Sequence, residues 1–458
     1  MCIGDRVSEG IRQSGTLGQV IKKLLPQGKT TVFKAQLRIL PSVAFISAFL
    51  NNTPVVVIFA PIIKHWAKSV KLPATKFLIP LSYVTILGGI CTLIGTSTNL
   101  VVHGMILEAG YEGFTMFELG KVGIFIAIAG IIYLFIFSKR LLPDARPDTA
   151  VPDEEVEEGE KLHRVEAVLG ARFPGINKKL SDFNFQRHYG AEVKEIKTRN
   201  GQRYVDHLED VVLREGDTLV VMADDTFIPT WGESSVFVLL TNGNDPDTSG
   251  KKKRWLALIL LVLMIVGATV GELPATKEMF PDIKLDMFFF VCITTIIMAW
   301  TNIFPARKYT KYISWDILIT IACAFAISKA MVNSGVADCV AGFIIGLSDD
   351  YGPHVLLAIL FVITNLFTEL ITNNAAAALA FPLALSISAQ LGVSPTPFFV
   401  VICMAASASF STPIGYQTNL IVQGIGNYKF TDFVRIGLPL NIITFLISVI
   451  LIPLIWNF

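Results

Sequence analysis

The sequence predicts an all-α polytopic membrane protein with inverted repeats and two re-entrant hairpins, plus a small cytoplasmic α/β domain. The first observation behind this fold class is composition: the 458 residues are 52% hydrophobic and 16% charged, with a mean hydropathy of +0.58. Soluble chains of this length are less apolar and more charged. The second observation is a set of polar motifs that occurs twice in apolar sequence, and the third is a polar stretch between Lys139 and Arg254.

The repeated motifs combine two adjacent asparagines with a downstream Gly-x-x-Thr-Asn-Leu. The first copy has the asparagines at 51–52 and the glycine at Gly95; the second has them at 373–374 and Gly415. The glycines lie 320 positions apart and the asparagine pairs 322 apart, which leaves two residues of slack. Interrupted apolar segments that recur in both halves of a chain are typical of binding sites in secondary transporters.

Apolar stretches of about 20 residues predict helices that cross ~30 Å of hydrocarbon. Residues 37–63 and 355–388 are also apolar, but an Asn-Asn pair interrupts each of them. Non-helical backbone at membrane depth survives only where it is buried in protein or faces a cavity. Both stretches are therefore predicted to be re-entrant hairpins with the asparagine pair at the tip. The other predicted spans are 77–102, 119–138, 255–271, 286–304, 314–332, 395–424 and 435–457.

The polar stretch predicts a small domain between two membrane halves, residues 1–140 and 255–458. Residues 141–161 are acidic and poor in apolar side chains, as in a solvated linker, and residues 227–254 form a second linker. Residues 162–226 alternate in the manner of an α/β domain. The predicted elements are strands at Arg164–Val168, Ala191–Lys197 and Thr218–Met222, a short helix at Ile176–Phe183, and a turn at Arg214–Asp217 before the last strand.

Lysine and arginine residues predict the orientation, because cytoplasmic loops of membrane proteins carry an excess of them. The basic loops belong on the cytoplasmic side of the cell (plasma or inner) membrane, together with the α/β domain. The first hairpin then enters from the inside and the second from the outside, so the repeats are inverted. The basic loops are 21–38, 64–76, 251–254 and 307–311, whereas the loops at 104–118, 346–354 and 388–396 have no Lys or Arg.

The first membrane half is shorter than the second. The second half begins near Trp255, and its first two predicted helices have no counterpart before Met1. We therefore expect that residues 1–140 lack about two helices because the chain is an N-terminally truncated form, or else that this half is naturally short.

The polar residues of the repeated motifs form the candidate binding site. An anion that crosses a membrane must exchange its hydration shell for fixed donors, which amides, hydroxyls and free N–H groups at helix N-termini supply. Sodium needs oxygen ligands from carbonyls and hydroxyls on unwound backbone. Such side chains also link helices, but their repetition in both halves favours a site. The predicted substrate-binding residues are Asn51, Asn52, Thr53, Thr98, Asn99, Asn373, Asn374, Thr418 and Asn419, and the predicted Na⁺-binding residues are Asn52, Gly95, Asn99, Asn374, Gly415 and Asn419.

Charge and motif content exclude several function classes. The net charge of +1 provides no basic field for nucleic acid, and the six cysteines have no CxxC or metal-ligand spacing. No Gly-x-Ser-x-Gly or His-Glu-x-x-His motif is present, so we expect neither an enzyme nor a cofactor. Glu369 and Lys329 lie within apolar sequence, where a charge is a functional candidate unless it reaches water near a helix end.

Four segments carry a family resemblance in combination: FLNNTPVVVIFAPI, TLIGTSTNLVVHG, ITNNAAAALAFPLALS and FSTPIGYQTNLIVQG. They resemble the divalent anion/sodium symporter group, solute carrier family 13, over residues 1–140 and 250–458. Members of that group carry Ser-Asn-Thr at each hairpin tip. The matching tripeptides here are Asn-Asn-Thr at 51–53 and Asn-Asn-Ala at 373–375, so both tips depart from the family pattern.

This resemblance implies secondary active transport of a small divalent oxyanion, sulfate or a dicarboxylate, by alternating access. It implies a homodimer in the lipid bilayer, in which a scaffold holds a moving transport domain. Na⁺ is the expected coupling ion, but Ala375 lacks the family hydroxyl, so H⁺ stays open as the alternative.

Residues 162–226 resemble the TrkA-C domain of potassium-conductance regulators, through VEAVLGARFPG and GAEVKEI with VVLREGDTLVVMAD. This resemblance implies a small ligand that biases transport, and the alternative is a dimerisation or stability module. Because such domains also serve channels, a cation (K⁺) channel or transporter regulated by this domain is the second function considered. Against a channel, the sequence has no Thr-Val-Gly-Tyr-Gly filter.

Overall fold

Two helical halves with a β-sheet between them make up the part of the chain that the computed structural model describes. The acidic linker predicted at 141–161 lies outside the described residues from 145 onward, as do residues 242–250 of the second linker and the basic loop at 307–311. The described residues are 16–144, 163–241, 251–301 and 315–458, with gaps at 27, 29, 171, 199–201, 225–226, 232–235, 272–273, 280–284, 286 and 347–351, together with residues 7, 10, 11, 14 and 303.

The first half forms helices whose ends follow local sequence signals. Thr31 caps the second of them, since its hydroxyl accepts the Lys34 N–H at 3.4 Å. Proline occurs inside two helices, at Pro41 and Pro61, as membrane proteins tolerate. The helices are α1 (Thr16–Leu24), α2 (Val32–Ser47), α3 (Asn52–Ser69), α4 (Leu78–Gly89), α5 (Ser97–Glu108) and α6 (Gly120–Leu141).

The middle of the chain forms a five-stranded antiparallel sheet in the order β3-β2-β4-β1-β5, with its own apolar core. Each of the three predicted strands overlaps an observed one, namely β1, β2 or β4. We call residues 163–241 the sheet domain. Its elements are β1 (His163–Leu169), α7 (Phe185–Tyr189), β2 (Glu192–Lys197), β3 (Arg203–Tyr204), β4 (Thr218–Ala223), α8 (Phe227–Trp231) and β5 (Phe237–Thr241).

Two predictions for this region are wrong. The segment Ile176–Phe183 forms turns, not a helix, because Asn177 has a left-handed φ of 63° that a helix does not accept. The helix begins after Asn184, whose side chain accepts the Arg187 N–H at 3.0 Å. The sheet also continues past residue 226, since β5 pairs with β1, so residues 227–241 are not linker.

The second half repeats the order of elements of the first. Its helices α14 to α18 correspond to α2 to α6: a helical pair, then a broken pair, then one long helix. The helices are α9 (Lys251–Gly271), α10 (Pro274–Met279), α11 (Met287–Trp300), α12 (Trp315–Asn333), α13 (Val336–Gly346), α14 (Gly352–Leu370), α15 (Asn373–Leu391), α16 (Thr396–Ser407), α17 (Gln417–Gly426) and α18 (Phe430–Ile455).

We name the repeated parts hairpin 1 (α2 and α3), hairpin 2 (α14 and α15), break 1 (residues 90–96) and break 2 (residues 408–416). Breaks 1 and 2 correct the predicted spans at 77–102 and 395–424, because each of those stretches forms two helices instead of one. The backbone unwinds there around the glycines of the repeated motif, Gly95 and Gly415.

Helix contacts also recur between the halves. Helix α3 packs against α17, and its counterpart α15 packs against α5, the counterpart of α17. The contacts of α2 with α4 and of α4 with α6 reappear as α14 with α16 and α16 with α18, and the two long helices α6 and α18 pack against each other. Such exchanged contacts follow when two similar halves are related by an approximate twofold axis.

Long apolar helices with exposed faces identify the membrane region. Within the described residues, α6, α14, α15 and α18 are long and apolar enough to cross a membrane by length and composition. One stripe along α18 exposes a large apolar side chain at every fourth position, a face that suits lipid rather than water. The stripe consists of Leu438, Ile442, Leu446, Ile450 and Leu454.

Candidate functional site

Both asparagine pairs lie where the second helix of a hairpin begins. In hairpin 1, α3 starts at Asn52, and Asn51 is the half-buried residue before it. In hairpin 2, α15 starts at Asn373, and the hydroxyl of Thr372 accepts the Ala375 N–H at 3.4 Å. The first N–H groups of a helix have no partner within it and carry the positive end of the helix dipole. Each tip therefore presents donors.

Each break is stabilised by a threonine of its own loop and by an asparagine in the first turn of the helix that follows. In break 1 the Thr92 hydroxyl accepts the Gly95 N–H at 3.1 Å, and Asn99 Nδ2 donates to the Thr92 carbonyl at 2.9 Å. These bonds satisfy backbone groups that a continuous helix would have paired. Break 2 repeats both bonds: the Thr412 hydroxyl accepts the Gly415 N–H at 3.2 Å, and Asn419 Nδ2 donates to the Thr412 carbonyl at 3.2 Å.

The glycine of each break is required by a close backbone approach. A Cβ added to Gly95 would collide with the backbone of Gly89. A Cβ added to Gly415 would collide with the Thr368 carbonyl of hairpin 2 and with the Ser409 hydroxyl. Break 2 therefore lies directly against hairpin 2, with no room for a side chain at Gly415.

The tip of hairpin 1 meets break 2 and the start of α17. Asn52 is fully buried; its Oδ1 accepts the Ser47 hydroxyl at 2.7 Å, and its Nδ2 donates to the Tyr416 hydroxyl at 2.6 Å. Beside it, the Thr53 hydroxyl donates to Gln417 Oε1 at 3.3 Å. The N-termini of α3 and α17 are thus neighbours, although 364 positions separate the bonded residues.

The tip of hairpin 2 meets the start of α5 in the same way. Asn374 is buried, and its Oδ1 accepts the hydroxyls of Ser97 at 3.3 Å and Thr98 at 3.1 Å. Asn373 Nδ2 donates to the Thr98 hydroxyl at 2.6 Å. Each tip therefore pairs with the broken helices of the other half, so the structure brings the two sets of predicted residues together.

Tyr416 joins the tip of hairpin 1 to break 1. Besides accepting from Asn52, its hydroxyl lies 3.0 Å from the Thr96 hydroxyl, and the side chain of Asn373 lies beside it. Tyr416 and Thr96 occupy equivalent positions of the repeat, 320 residues apart. Tyr416 is absent from the predicted site, although it lies in a quoted motif; its place immediately after the repeated glycine is the signal that would identify it.

Thr418 bonds to α4 and not to a hairpin tip, unlike its counterpart Thr98. The Ser82 hydroxyl of α4 lies 2.8 Å from Thr418 Oγ1 and 2.7 Å from Asn419 Oδ1. The counterpart of Asn419 differs: Asn99 Oδ1 is buried and has no hydrogen-bond partner among the described residues. Break 1 therefore leaves one side-chain oxygen available, whereas break 2 does not.

Glu369 is a half-buried carboxylate that holds break 2 to hairpin 2. It accepts the Ser411 N–H at 2.8 Å and Asn441 Nδ2 at 2.7 Å, and the Ser409 hydroxyl lies 3.5 Å away. Lys329, the other charge found in apolar sequence, is exposed. Among the residues that the structure describes, no cluster of His, Cys, Asp or Glu side chains could hold a metal ion.

The sheet domain contacts α3 and α17, the two helices whose N-termini are neighbours at the tip of hairpin 1. Glu166 of β1 accepts hydrogen bonds from Lys64 of α3 at 3.1 and 3.2 Å and from Lys197 of β2 at 3.3 Å. Burial raises the pKa of the Glu166 carboxyl, but the charges and hydrogen bonds of both lysines lower it, to about 2 overall. The ion pairs therefore fix the sheet domain to α3.

The sheet domain also packs closely against α17. Gly216, in the turn before β4, lies so near Leu420 that an added Cβ would be 2.6 Å from Leu420 Cδ1. One turn further along α17, a Cβ on Gly424 would be 2.6 Å from the Thr218 hydroxyl. The predicted turn at Arg214–Asp217 is confirmed by the Asp217 N–H, which donates to the Arg214 carbonyl at 3.1 Å, and the turn is part of the interface with α17.

Comparison with known proteins agrees with these features. The model of the CitMHS family, citrate transporters, matches residues 7–388 and 279–458. An uncharacterized transporter of Synechocystis sp. is 29% identical over 98% of this chain and 87% of its own length. The putative sulfur deprivation response regulator of Chlamydomonas reinhardtii is 28% identical over 97% and 90%, respectively. The probable sodium/sulfate cotransporter 3 of the same alga is 32% identical over 61% of this chain and 31% of its own length.

These matches span both helical halves and the sheet domain. The resemblance of residues 162–226 to TrkA-C domains stays a prediction. The family match, the relatives named as transporters and the apolar helices together identify a multi-pass membrane protein that belongs to the citrate transporter (CitMHS) family.

Proposed function

We propose that this protein is a secondary active transporter of a small divalent oxyanion, sulfate or a dicarboxylate, coupled to Na⁺. The observation that carries this proposal is the pairing of each hairpin tip with the broken helices of the other half. Asn52 reaches Tyr416 and Asn374 reaches Thr98, in a buried cluster of amides and hydroxyls. Such a cluster replaces the hydration shell of an anion with fixed donors.

Four helix N-termini support an anionic substrate. Helices α3 and α17 begin side by side, and so do α15 and α5, as the bonds from Thr53 to Gln417 and from Asn373 to Thr98 record. Their free N–H groups and dipoles favour negative charge at these points. Neutral donors also bind an anion without the large desolvation cost of a buried lysine or arginine, which suits a site that must release its substrate.

The unpartnered Asn99 Oδ1 supports Na⁺ as co-substrate. A buried oxygen without a hydrogen-bond donor costs about 1–3 kcal/mol, and a cation that accepts it as a ligand removes that cost. Hydroxyls and unwound carbonyls of break 1 are the oxygen ligands that hard cations prefer. Gly95 and Asn99 are therefore better candidates for Na⁺ than Gly415 and Asn419, because Ser82 already occupies Asn419 Oδ1.

Loop charges support an inverted relation between the halves. The segment 64–76, which runs from the end of α3 to the start of α4, is basic, with Lys64, Lys68, Lys71 and Lys76, whereas its counterpart at 388–396 has no Lys or Arg. By the positive-inside rule the two loops lie on opposite sides of the cell membrane, which requires a twofold axis in the membrane plane. Alternating access then follows if the hairpins and broken helices move together relative to the rest of a homodimer.

The contacts of the sheet domain with α3 and α17 support a cytoplasmic regulatory role. A cavity lies on this domain, and its lining includes Arg214 and Asp217, the first and last residues of the turn whose Gly216 approaches Leu420. A small ligand in the cavity would press on that turn and bias the position of α17. The residues that line the cavity are Thr198, Gln202, Tyr204, His207, Asp210, Val211, Val212, Arg214 and Asp217.

Uptake by purified protein in liposomes tests the transport proposal. We expect saturable uptake of labelled sulfate or succinate that falls when Na⁺ is replaced by choline. Asn52→Ala and Asn374→Ala should each abolish uptake while the protein still inserts, whereas Asn333→Ala, at the exposed end of α12, should leave it intact. Undiminished uptake in both site variants, or single-channel currents in place of saturable uptake, would contradict the proposal.

A further inference from the structure

We propose that Tyr416 selects substrates by size, so that the site accepts a compact tetrahedral dianion such as sulfate and excludes longer dicarboxylates. This inference rests on the proposed transport function and narrows its substrate class. It concerns a residue that belongs to neither asparagine pair.

The position of the phenol is the first argument. Its hydroxyl accepts a hydrogen bond from Asn52 at the tip of hairpin 1 and lies 3.0 Å from the Thr96 hydroxyl of break 1, and Asn373 at the tip of hairpin 2 lies beside it. A phenol hydroxyl can both donate and accept, so the bonds to Asn52 and Thr96 fix its position. The side chain therefore lies between the two tips.

The asymmetry of the repeat is the second argument. The equivalent residue of the first half is Thr96, whose side chain is much smaller, while the surrounding bonds of Thr92 and Thr412 are the same in both halves. The two halves therefore share the same hydrogen bonds to the backbone here, but only the second half carries an aromatic ring at this position. This ring is almost fully buried, so it occupies volume that a symmetrical site would leave to a ligand.

Ligand shape determines the consequence. A dicarboxylate such as succinate carries charge at two separated ends, and its natural pose would place one carboxylate at each tip. Because the phenol of Tyr416 bonds to Asn52 and Thr96 and lies beside Asn373, a ligand that spans Asn52 and Asn373 must displace the phenol and break those two hydrogen bonds. Sulfate concentrates its charge on one centre and can bind at one pair of helix N-termini without displacing the ring.

A chain-length series on the wild-type protein is the first test. Unlabelled oxalate, malonate and succinate should inhibit labelled sulfate uptake in liposomes progressively less well as methylenes are added. Equal inhibition by all three, or faster uptake of succinate than of sulfate, would overturn the role of Tyr416 but leave anion transport standing. Absence of uptake for every anion would instead overturn the proposed function.

Substitution of the ring is the second test. Tyr416→Thr gives the second half the residue of the first and should raise the succinate-to-sulfate uptake ratio at least about tenfold, the low end of what a pocket gains from a fitting group. Tyr416→Phe keeps the ring and should keep the ratio. Tyr111→Thr, at an exposed tyrosine after α5, is the matched control. An unchanged ratio in Tyr416→Thr would refute the proposal, and if that variant does not insert, the chain-length series decides.

Discussion

The ion pairs between the sheet domain and α3 lead to a quantitative prediction for Glu166→Gln. This substitution keeps the size and one carbonyl oxygen of the side chain but removes its charge. Both bonded lysines then lose the charge of Glu166, although Lys197 keeps Glu195 Oε1 at 3.9 Å and Lys64, with 22% of its side chain exposed, still reaches water. We expect the sheet domain to detach more readily from α3.

The magnitude follows from the pKa of the carboxyl. It is about 2 instead of the ordinary 4.5, and each pKa unit corresponds to ~1.4 kcal/mol, so ionised Glu166 stabilises the folded chain by roughly 3 kcal/mol. Because the pKa is lower in the folded state, this stability is fully present above a pH of about 4.5 and is lost as the pH falls toward 2. Partial exposure of Lys64 and the second carboxylate beside Lys197 reduce the expected loss to about 2 kcal/mol.

Hydrogen exchange and unfolding in detergent measure this effect. Glu166→Gln should lower protection of β1, of the turn at Arg214–Asp217 and of α17, and should flatten the decline of stability between pH 4.5 and 2. Glu192→Gln is the control, because its pair with Lys194 at 2.7 Å leaves 54% of both side chains exposed, and such surface pairs contribute about 0–1 kcal/mol. An equal loss of protection in the two variants would contradict the stabilising role of the Glu166 ion pairs.

Two further predictions concern the breaks. Gly415→Ala should abolish uptake, because its Cβ would collide with the Thr368 carbonyl. Gly104→Ala in α5, where no atom lies within 4 Å of the added Cβ, should retain uptake. Equal uptake by the two variants would contradict the tight packing of break 2. Asn99→Ala should raise the Na⁺ concentration for half-maximal uptake at least about tenfold, equivalent to ~1.4 kcal/mol, and an unchanged Na⁺ dependence would remove break 1 from the cation site.

Local patterns in the sequence predict the elements of the site well. The Asn-Asn pairs mark the starts of α3 and α15, and Gly95 and Gly415 mark the breaks, because unwound backbone in apolar sequence requires polar groups close by along the chain. The strands β1, β2 and β4 follow from alternation. The strand β5 is missed because it is a short apolar segment beside a long polar one, and it is fixed by pairing with β1, far away in sequence.

Contacts between the halves cannot be read from the sequence alone. Tyr416 looks like an ordinary motif residue until the fold places Asn52, Thr96 and Asn373 around its hydroxyl. Thr418 looks equivalent to Thr98, yet Ser82 of α4 binds it instead of a hairpin tip. In both cases the repeat correctly predicts position along the chain, whereas side-chain size and the packed neighbour determine the partner.

The position of the sheet domain has a consequence for how conformational change could be observed. It holds α3 of the first half through Glu166 and α17 of the second half through Gly216, so it bridges two helices that the chain connects only over several hundred residues. If one of these helices slides past the other, the sheet domain must either lose its contact with one helix or move together with it. The distance between one fluorophore on the sheet domain and another on α6 would therefore report movement of the membrane helices.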